Sequence, residues 1–544
     1  MESEKAMLEA LSTILPEDRI KARLIDRHSF ARDASFYRLI PKVVVQPVNE
    51  KEIIELFSYS QRSKIPLVFR AAGTSLSGQS ITDGILVEVS RKWQDFFFDK
   101  EQGTIQLEPG LIGSQVNRRL ARYGRKIGPD PASLDACMIG GIIANNASGM
   151  CCGVKDNAYH TLDTVRFVLP NGQTYDTIDE NSDDLLLKQA PDIHQGLLDL
   201  RERVLADKTL YKRVRDKYTR KNTQGYSLNA LIDYEKPIDI LSHLLVGSEG
   251  TLGFISKVRL KTLLDDPHKS AALLFFKDIR SATETVIPLQ KAGAQALELM
   301  DRAALRSIQD EPGIPKEIKS LPEKAAALLC EFQAPDSQKL SEKVEAGLHK
   351  LKTAKLIHPA DFTEEEKTRL LYWKLRKGLL PSVGAVRKSG TTVIIEDICF
   401  RLKDLADATL ELQGLFKKHG YEDAIIFGHA KDGNLHFVIS QTFADAAGRD
   451  QYEQWRSDQT DLTAHQILIG DVDGDGEDEI VLNDGYIFDA RFFDLEWQSP
   501  EPFGERMGLL DLDEDQILEV IGEFQGRYLR IFDIDLRREK SLSR

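Results

Sequence analysis

The chain has 544 residues, enough for about three or four domains, and its 42% hydrophobic and 29% charged content supports sizeable cores and excludes wholesale disorder. Lys and Arg number 72 against 86 Asp and Glu, a net charge of −14 with no basic run, which argues against nucleic acid or an anionic membrane surface as partner. No stretch reaches the roughly 18 apolar residues of a membrane span, and five cysteines without CxxC spacing suggest neither a disulfide framework nor a metal cassette, so a cytoplasmic protein is expected.

In chain order, MESEKAMLEALSTILPEDR is too charged for a signal peptide and predicts a short amphipathic helix. Residues 42–90 read as β-α-β. Val43, Val44 and Val45 form a β-branched run. Asn49 followed by Glu52 resembles a capping box, and Ile53, Ile54 and Phe57 recur at helical spacing to about Ser63. Leu67 to Phe69 and Ile85 to Val89 are the next strands, with the turn-rich RAAGTSLSGQS (Arg70 to Ser80) between them. Short strands follow from about 104 to 170, interrupted by IGGIIANNASGMCCG (Ile139 to Gly153). Residues 180–240 are helical in pattern, and VGSEGTLGFI (Val246 to Ile255) is a second glycine cluster. Beyond about 265, PEKAAALL and SEKVEAGLHKLK read as helices alternating with the strands SAALLFFK, TTVIIEDICF and EDAIIFGH, the texture of an α+β domain with an antiparallel sheet. After about 460 an Asp-x-Asp-x-Asp-x-x-x-Glu skeleton occurs twice, its first aspartates Asp471 and Asp511 lying 40 residues apart, a blade-like period.

A backbone that approaches a phosphate needs small residues and inward N–H groups. Ala72-Gly73-Thr74-Ser75-Leu76-Ser77-Gly78 offers these at a strand end, without matching the nicotinamide fingerprint or a P-loop. Alone it could be a surface turn. Gly140-Gly141 with Asn145 to Gly149, and Gly247 to Gly253, supply two more such loops, and three in one region point to one large phosphate-bearing ligand.

RAAGTSLSGQS, GPDPAS (Gly128 to Ser133), GGIIANNASG, KNTQGY (Lys221 to Tyr226) and GSEGTLGFI stand in the order and spacing of the flavin oxidoreductases related to vanillyl-alcohol oxidase. Over residues 20–455 the chain resembles their D-2-hydroxyacid dehydrogenase branch: D-lactate dehydrogenase, the glycolate oxidase flavin subunit and D-2-hydroxyglutarate dehydrogenase. The resemblance implies an α+β fold, with a two-part flavin-binding domain over 1–265 and an α+β cap domain over 266–458; the residues beyond the match are expected to form a β-rich tail over 459–544. It implies FAD, cradled by Ala72, Gly73, Thr74, Ser75 and Leu76 and lined by Ser80, Pro129, Gly141, Ser148, Gly149 and Ile255. Leu76 and its neighbours include no His or Cys of the kind covalent relatives use, so the FAD is expected to be non-covalent.

In WKLRKGLLPS a guanidinium at Arg376 would suit a carboxylate, although a basic run is also the pattern of a solvated helix face. The family places its substrate-carboxylate arginine here, and Arg387 and Lys388 are weaker candidates for a second carboxylate. His429 and His436 in GHAKDGNLHF flank a turn, and a hairpin would bring both imidazoles together, which suits a divalent metal. In the family this pair binds a metal, usually zinc. The implied reaction oxidises a small D-2-hydroxyacid to the 2-oxoacid, with electrons passed through flavin to a separate iron–sulfur protein, quinone or cytochrome.

Past Phe443 the Glu-His-Gly-Thr-Gly segment of the relatives, which carries a third metal ligand, has no counterpart. The tail instead resembles the calcium repeats of integrin-type propellers, with Asp471, Asp473, Asp475 and Glu479 spaced for a hard cation. The second copy keeps Asp511, Asp513, Asp515 and Glu519 but has Glu514 and Gln516 in place of glycines. Both loops could equally be acid-rich turns. Two readings therefore stand beside the enzyme: a catalytically impaired FAD-binding remnant, and a calcium-dependent interaction module carried by the tail.

Overall fold

Four short strands, β1 (Ile20–Lys21), β2 (Val43–Val45), β3 (Leu67–Arg70) and β4 (Ile85–Glu88), form a sheet in the order β1-β2-β4-β3, with β4 parallel to both β2 and β3. Val43, Val44 and Val45 are fully buried, as a parallel strand covered on both faces requires. The helix Glu50–Ser63 connects β2 to β3. Its N-cap Asn49 accepts the Glu52 N–H at 3.0 Å. The Glu52 carboxylate does not close a standard capping box: it accepts the Val48 N–H at 2.7 Å and pairs with Arg19 at 2.6 Å. In this computed structural model the described residues are 3–543 except 223–224, 312, 380–386, 445, 460–466, 475–478, 490–494, 500–501, 505, 513–516, 525–527 and 535–536.

A second, antiparallel sheet follows. Its strands are β5 (Phe96–Asp99), β6 (Thr104–Leu107), β7 (Arg125–Ile127), β8 (Leu162–Val168), β9 (Thr174–Asp176) and the long β10 (Phe254–Leu264). The order is β5-β6-β10-β8-β9, and β7 pairs with the end of β10. Glu50 ties the two sheets together: it accepts from Arg166 of β8 through two bonds of 2.7 Å and from Ser256 of β10 at 2.5 Å.

The third sheet has six antiparallel strands, β11 (His268–Phe276), β12 (Ala296–Met300), β13 (Ala326–Ala334), β14 (Thr392–Cys399), β15 (Ile425–His429) and β16 (Asn434–Gln441), in the order β11-β13-β12-β15-β16-β14. The segment PEKAAALL, expected to be helical, instead supplies the start of β13, all nine of whose residues are buried. Alanine and leucine favour a helix in isolation, but a strand in mid-sheet with both faces covered selects any continuous apolar run, and burial overrides propensity. The helix Glu366–Lys377 packs Leu371, Trp373 and Leu375 onto the core on one face of this sheet.

The chain divides into two compact units, 1–441 and 442–544. The first contains all three sheets, and the expected division near 265 falls in the short link between β10 and β11. The second begins before the expected boundary at 459, with the helix Ala446–Gln459 inside it. Its two four-stranded antiparallel meanders, 467–498 and 506–543, match the two sequence repeats, and Val472, Val481, Phe503, Val520 and Phe532 share one core.

Candidate functional site

The first turn leaves β3 at Arg70. Gly73 has φ +72°, a conformation that a side chain strains, and a Cβ there would lie 2.4 Å from the Arg70 guanidinium beneath it. Arg70 donates to Phe30 O and Ser80 O, each at 3.3 Å, so a half-buried cation braces this loop from behind. The second turn follows the helix Ile139–Ala144, and the third joins Leu245 to β10. Those two are laced together: Glu249 N donates to Ala144 O at 2.8 Å, Gly247 N to Ile143 O at 3.2 Å, and Asn145 Nδ2 to Glu249 Oε1 at 2.7 Å. Asn146 and Glu249 both sit in the left-handed region, at φ +52° and +51°, strain that clusters where backbone is shaped for a ligand.

The three turns line one cleft. Ala72, Gly73, Thr74, Ser75, Ser80, Gly141 and Ile255 are all on its wall, together with Glu249, Gly250 and Phe254. Leu76, Pro129, Ser148 and Gly149 are not on that wall. Leu76 is exposed. The other three belong to an adjacent junction, where a Cβ on Gly149 would lie 1.9 Å from Asp130 O, and where Cys151 N and Cys152 N donate to the Asp130 carboxylate at 2.9 and 3.1 Å. The third sheet reaches this same junction, because Lys431 Nζ donates to Cys151 O at 2.9 Å and Gln295 Nε2 donates to it at 3.3 Å.

Lys431 lies in the turn of the β15–β16 hairpin, which closes through Ala430–Asp432 with Gly433 at φ +70°. The hairpin brings His429 and His436 together, with their Nε2 atoms 3.3 Å apart. Antiparallel register sets their neighbours: Glu298 stands opposite His429, Phe427 opposite His436, and Asp397 opposite His436 on its other side. Both oxygens of Glu298 lie 2.9 Å from His429 Nδ1, and Asp397 Oδ1 lies 3.2 Å from His436 Nδ1. Asp397 also receives Lys221 Nζ at 2.9 Å, and Lys221 donates to Asn434 Oδ1 at the same distance. From the covering helix Arg376 enters the cluster, 2% exposed, with Nη2 at 2.8 Å from Glu298 Oε2 and its guanidinium 4.7 Å from the Phe427 ring centre. Neither its Nε nor its Nη2 has an aligned hydrogen-bond partner among the described residues, so the contact with Glu298 is an ion pair.

Burial, and then the Arg376 and Lys221 cations, hold the His429 pKa well below the usual imidazole value. Burial lowers His436 to about 4 despite Asp397. For Asp397 burial acts upward, but Lys221 and His436 outweigh it and hold the carboxyl far below the ordinary range. Both imidazoles are therefore neutral near pH 7. Each Nδ1 faces an acidic side chain, which favours the proton on that nitrogen and would leave the two Nε2 lone pairs converging. Two such acceptors repel unless a cation lies between them. A tetrahedral zinc with bonds of about 2.0–2.1 Å places two nitrogens about 3.3–3.4 Å apart, so this pair fits two positions of a divalent metal, each ligand backed by a carboxylate. Among the described residues no third ligand completes a cluster with them. Arg387 and Lys388 lie on an exposed turn, where Arg387 Nε donates to Thr391 O, and do not join the cluster.

Glu298 is the residue that motif reading missed. Its signal is a lone carboxylate in the apolar run ALELM, a charge at a position the pattern reserves for the core. In the tail, the carboxylates of Asp471, Asp473 and Glu479 gather within 4.8 Å, whereas Asp475, Asp513 and Asp515 lie outside the described residues. Glu479 Oε2 accepts the Val472 N–H at 2.8 Å, and Glu519 Oε2 accepts the Leu512 N–H at 2.8 Å. The repeated glutamate thus closes its own loop, a structural role that accounts for its recurrence. No helix among the described residues is long and apolar enough to cross a membrane.

Two family models match the chain. A family described as "FAD binding domain" matches residues 41–177, and "FAD linked oxidases, C-terminal domain" matches residues 266–466. D-2-hydroxyglutarate dehydrogenase of Haemophilus influenzae is 24% identical over 476 residues, covering 82% of this chain and 45% of that protein. The chain thus spans less than half the length of that relative. D-lactate dehydrogenase [cytochrome], mitochondrial, of Arabidopsis thaliana is 25% identical, with 80% and 67% covered, and glycolate oxidase subunit GlcD of Bacillus subtilis is 28% identical, with 80% of each covered. Among solved structures, alkyldihydroxyacetonephosphate synthase (TM-score 0.59, 15% identity, 84% of this chain and 83% of that one) and p-cresol methylhydroxylase (0.58, 11%, 85% and 87%) share the fold.

Proposed function

We propose, taking as premise that the chain belongs to the family of FAD-linked oxidases, that it oxidises a small D-2-hydroxyacid of the D-lactate, glycolate or D-2-hydroxyglutarate type to the 2-oxoacid. FAD-binding and oxidase C-terminal domains make it a flavin oxidoreductase, and the names of its relatives favour a 2-hydroxyacid. The observation that carries the reading is the buried cluster beside the 151 junction: two imidazole Nε2 atoms 3.3 Å apart, next to a guanidinium whose Nε and Nη2 have no hydrogen-bond partner among the described residues.

The substrate would lose the hydride on its α-carbon to the flavin and the proton on its hydroxyl to solvent, two electrons and two hydrogens in all, leaving a C=O double bond. FAD, when bound non-covalently along Ala72 to Ser75, Ser80, Gly141 and Ile255, supplies the two-electron acceptor. Pro129, Ser148 and Gly149 border it where the third sheet docks. Arg376 holds the substrate carboxylate, a charge-assisted contact that orients the α-carbon. His429 and His436 would hold a divalent metal, which when bound lowers the pKa of the substrate hydroxyl. Phe427, whose ring lies 4.7 Å from the Arg376 guanidinium, covers these charges on one side. A separate redox protein, quinone or cytochrome takes the electrons onward.

The test is the absorption of the FAD-loaded chain mixed anaerobically with D-lactate, glycolate or D-2-hydroxyglutarate. At least one of them bleaches the flavin, and His436→Ala abolishes the bleaching. Flavin that stays oxidised with all three rejects the reading.

A further inference from the structure

Glu298 pairs with both halves of the candidate substrate site, His429 and Arg376. It is fully buried in the middle strand β12, in a run otherwise made of Ala, Leu and Met. One side of its carboxylate meets His429 Nδ1, with both oxygens at 2.9 Å, and Oε2 meets Arg376 Nη2 at 2.8 Å. A buried carboxylate is costly unless it is paired, and this one is paired twice, with groups from two different elements.

We infer that Glu298 is a positioning residue that fixes the proton of His429 on Nδ1 and the direction of Arg376 at the same time. The inference rests on the roles proposed above for those two residues. Two groups converge on Glu298: His429 Nδ1, within hydrogen-bond distance of both oxygens, and the Arg376 guanidinium, held as an ion pair at Oε2. With the proton held on Nδ1, His429 presents its Nε2 lone pair to the point that His436 Nε2 also faces. Paired at Oε2, the Arg376 guanidinium is kept against Glu298 instead of swinging about its long side chain. Glu298 thereby couples the geometry of the hydroxyl end of the substrate to that of the carboxylate end. An amide in its place has one acceptor oxygen. If Arg376 takes that oxygen, the amide N–H2 turns toward His429 and forces the proton onto Nε2, where it blocks the converging lone pair.

The experiment uses the full chain with ¹⁵N-labelled histidine, in the wild type, Glu298→Gln and Glu298→Ala, with His429→Gln to identify the resonance. The wild type is expected to show His429 as the Nδ1–H tautomer, and Glu298→Gln to shift it to Nε2–H at unchanged FAD content. Co²⁺ alone, titrated into the flavin-free chain, is expected to bind Glu298→Gln about 10–100-fold more weakly, the usual effect of losing a carboxylate behind a ligating histidine. KM for D-lactate should rise at least as much as kcat falls. Glu298→Ala strands a buried guanidinium and can fail to fold, in which case the glutamine variant decides. An Nε2–H tautomer in the wild type, or a tautomer and Co²⁺ affinity unmoved by Glu298→Gln, overturns the inference. A wild type whose flavin no hydroxyacid reduces refutes the proposed function, and the tautomer still reports on Glu298.

Discussion

The dinucleotide cleft and the buried cluster of the third sheet solve binding in opposite ways. The cleft wall is largely backbone: glycines, small hydroxyl residues and turns held in left-handed conformations, with Arg70 behind the first loop. The cluster is largely side chain: Glu298, Arg376, His429, His436, Asp397 and Lys221, brought from five separate segments by sheet register and one covering helix. A backbone site tolerates exchange of most side chains but not an added Cβ, whereas a charged cluster tolerates modest changes of volume but not loss of a partner. Each kind of substitution therefore separates the two regions.

The largest effect is expected at Gly149, whose added Cβ would meet the Asp130 backbone at 1.9 Å. Gly149→Ala forces the 148–153 and 129–130 segments apart, at a cost of about 1–3 kcal/mol or more. A lowered melting temperature and loss of bound flavin after gel filtration are the expected results. Full FAD content would mean that this junction is not part of the cofactor site.

Arg376→Met comes next, and it should do the reverse. Flavin content is expected to stay at the wild-type level, while KM for the hydroxyacid rises about 10–100-fold, matching the roughly 1.5–3 kcal/mol of a charge-assisted hydrogen bond. Steady-state kinetics on the FAD-loaded protein decide this, and an unchanged KM removes Arg376 from substrate binding.

A smaller effect distinguishes the scaffold from both sites. Burial pushes the Glu50 carboxyl up, but Arg166 and Ser256 outweigh it and the folded value lies below the ordinary one. A lowered folded pKa stabilises the protein above the unfolded carboxyl value of about 4.3 and is lost as pH falls through the folded value. Glu50→Gln should then cost about 1 kcal/mol near neutral pH, a modest sum because both partners are partly exposed. The gap between the melting curves of variant and wild type should close below about pH 4. A gap that widened in acid would give the shift the opposite sign.

The same contrast explains what the sequence made legible. Glycine and hydroxyl turns are local in sequence, so the three loops and most of the cleft wall were readable from RAAGTSLSGQS, GGIIANNASG and GSEGTLGFI. The His429–His436 hairpin was readable because its turn joins adjacent strands. Glu298 and Asp397 were not, because they reach the histidines only through register between strands far apart in the chain, 131 residues in the case of Glu298 and His429. PEKAAALL failed for a related reason: the covering layers that make β13 a strand are not encoded in the eight residues themselves.

FAD titration of the apoprotein, wild type against Gly141→Ala, tests the central claim most directly. Gly141 lies on the cleft wall, and a Cβ there meets nothing within 4 Å, so the variant should fold undisturbed while adding a methyl group beside the space proposed for the dinucleotide. The account predicts one FAD per wild-type chain and at least tenfold weaker binding by the variant at an equal apoprotein melting temperature. Equal affinity in the two proteins, or a wild type that takes up no FAD, would contradict it.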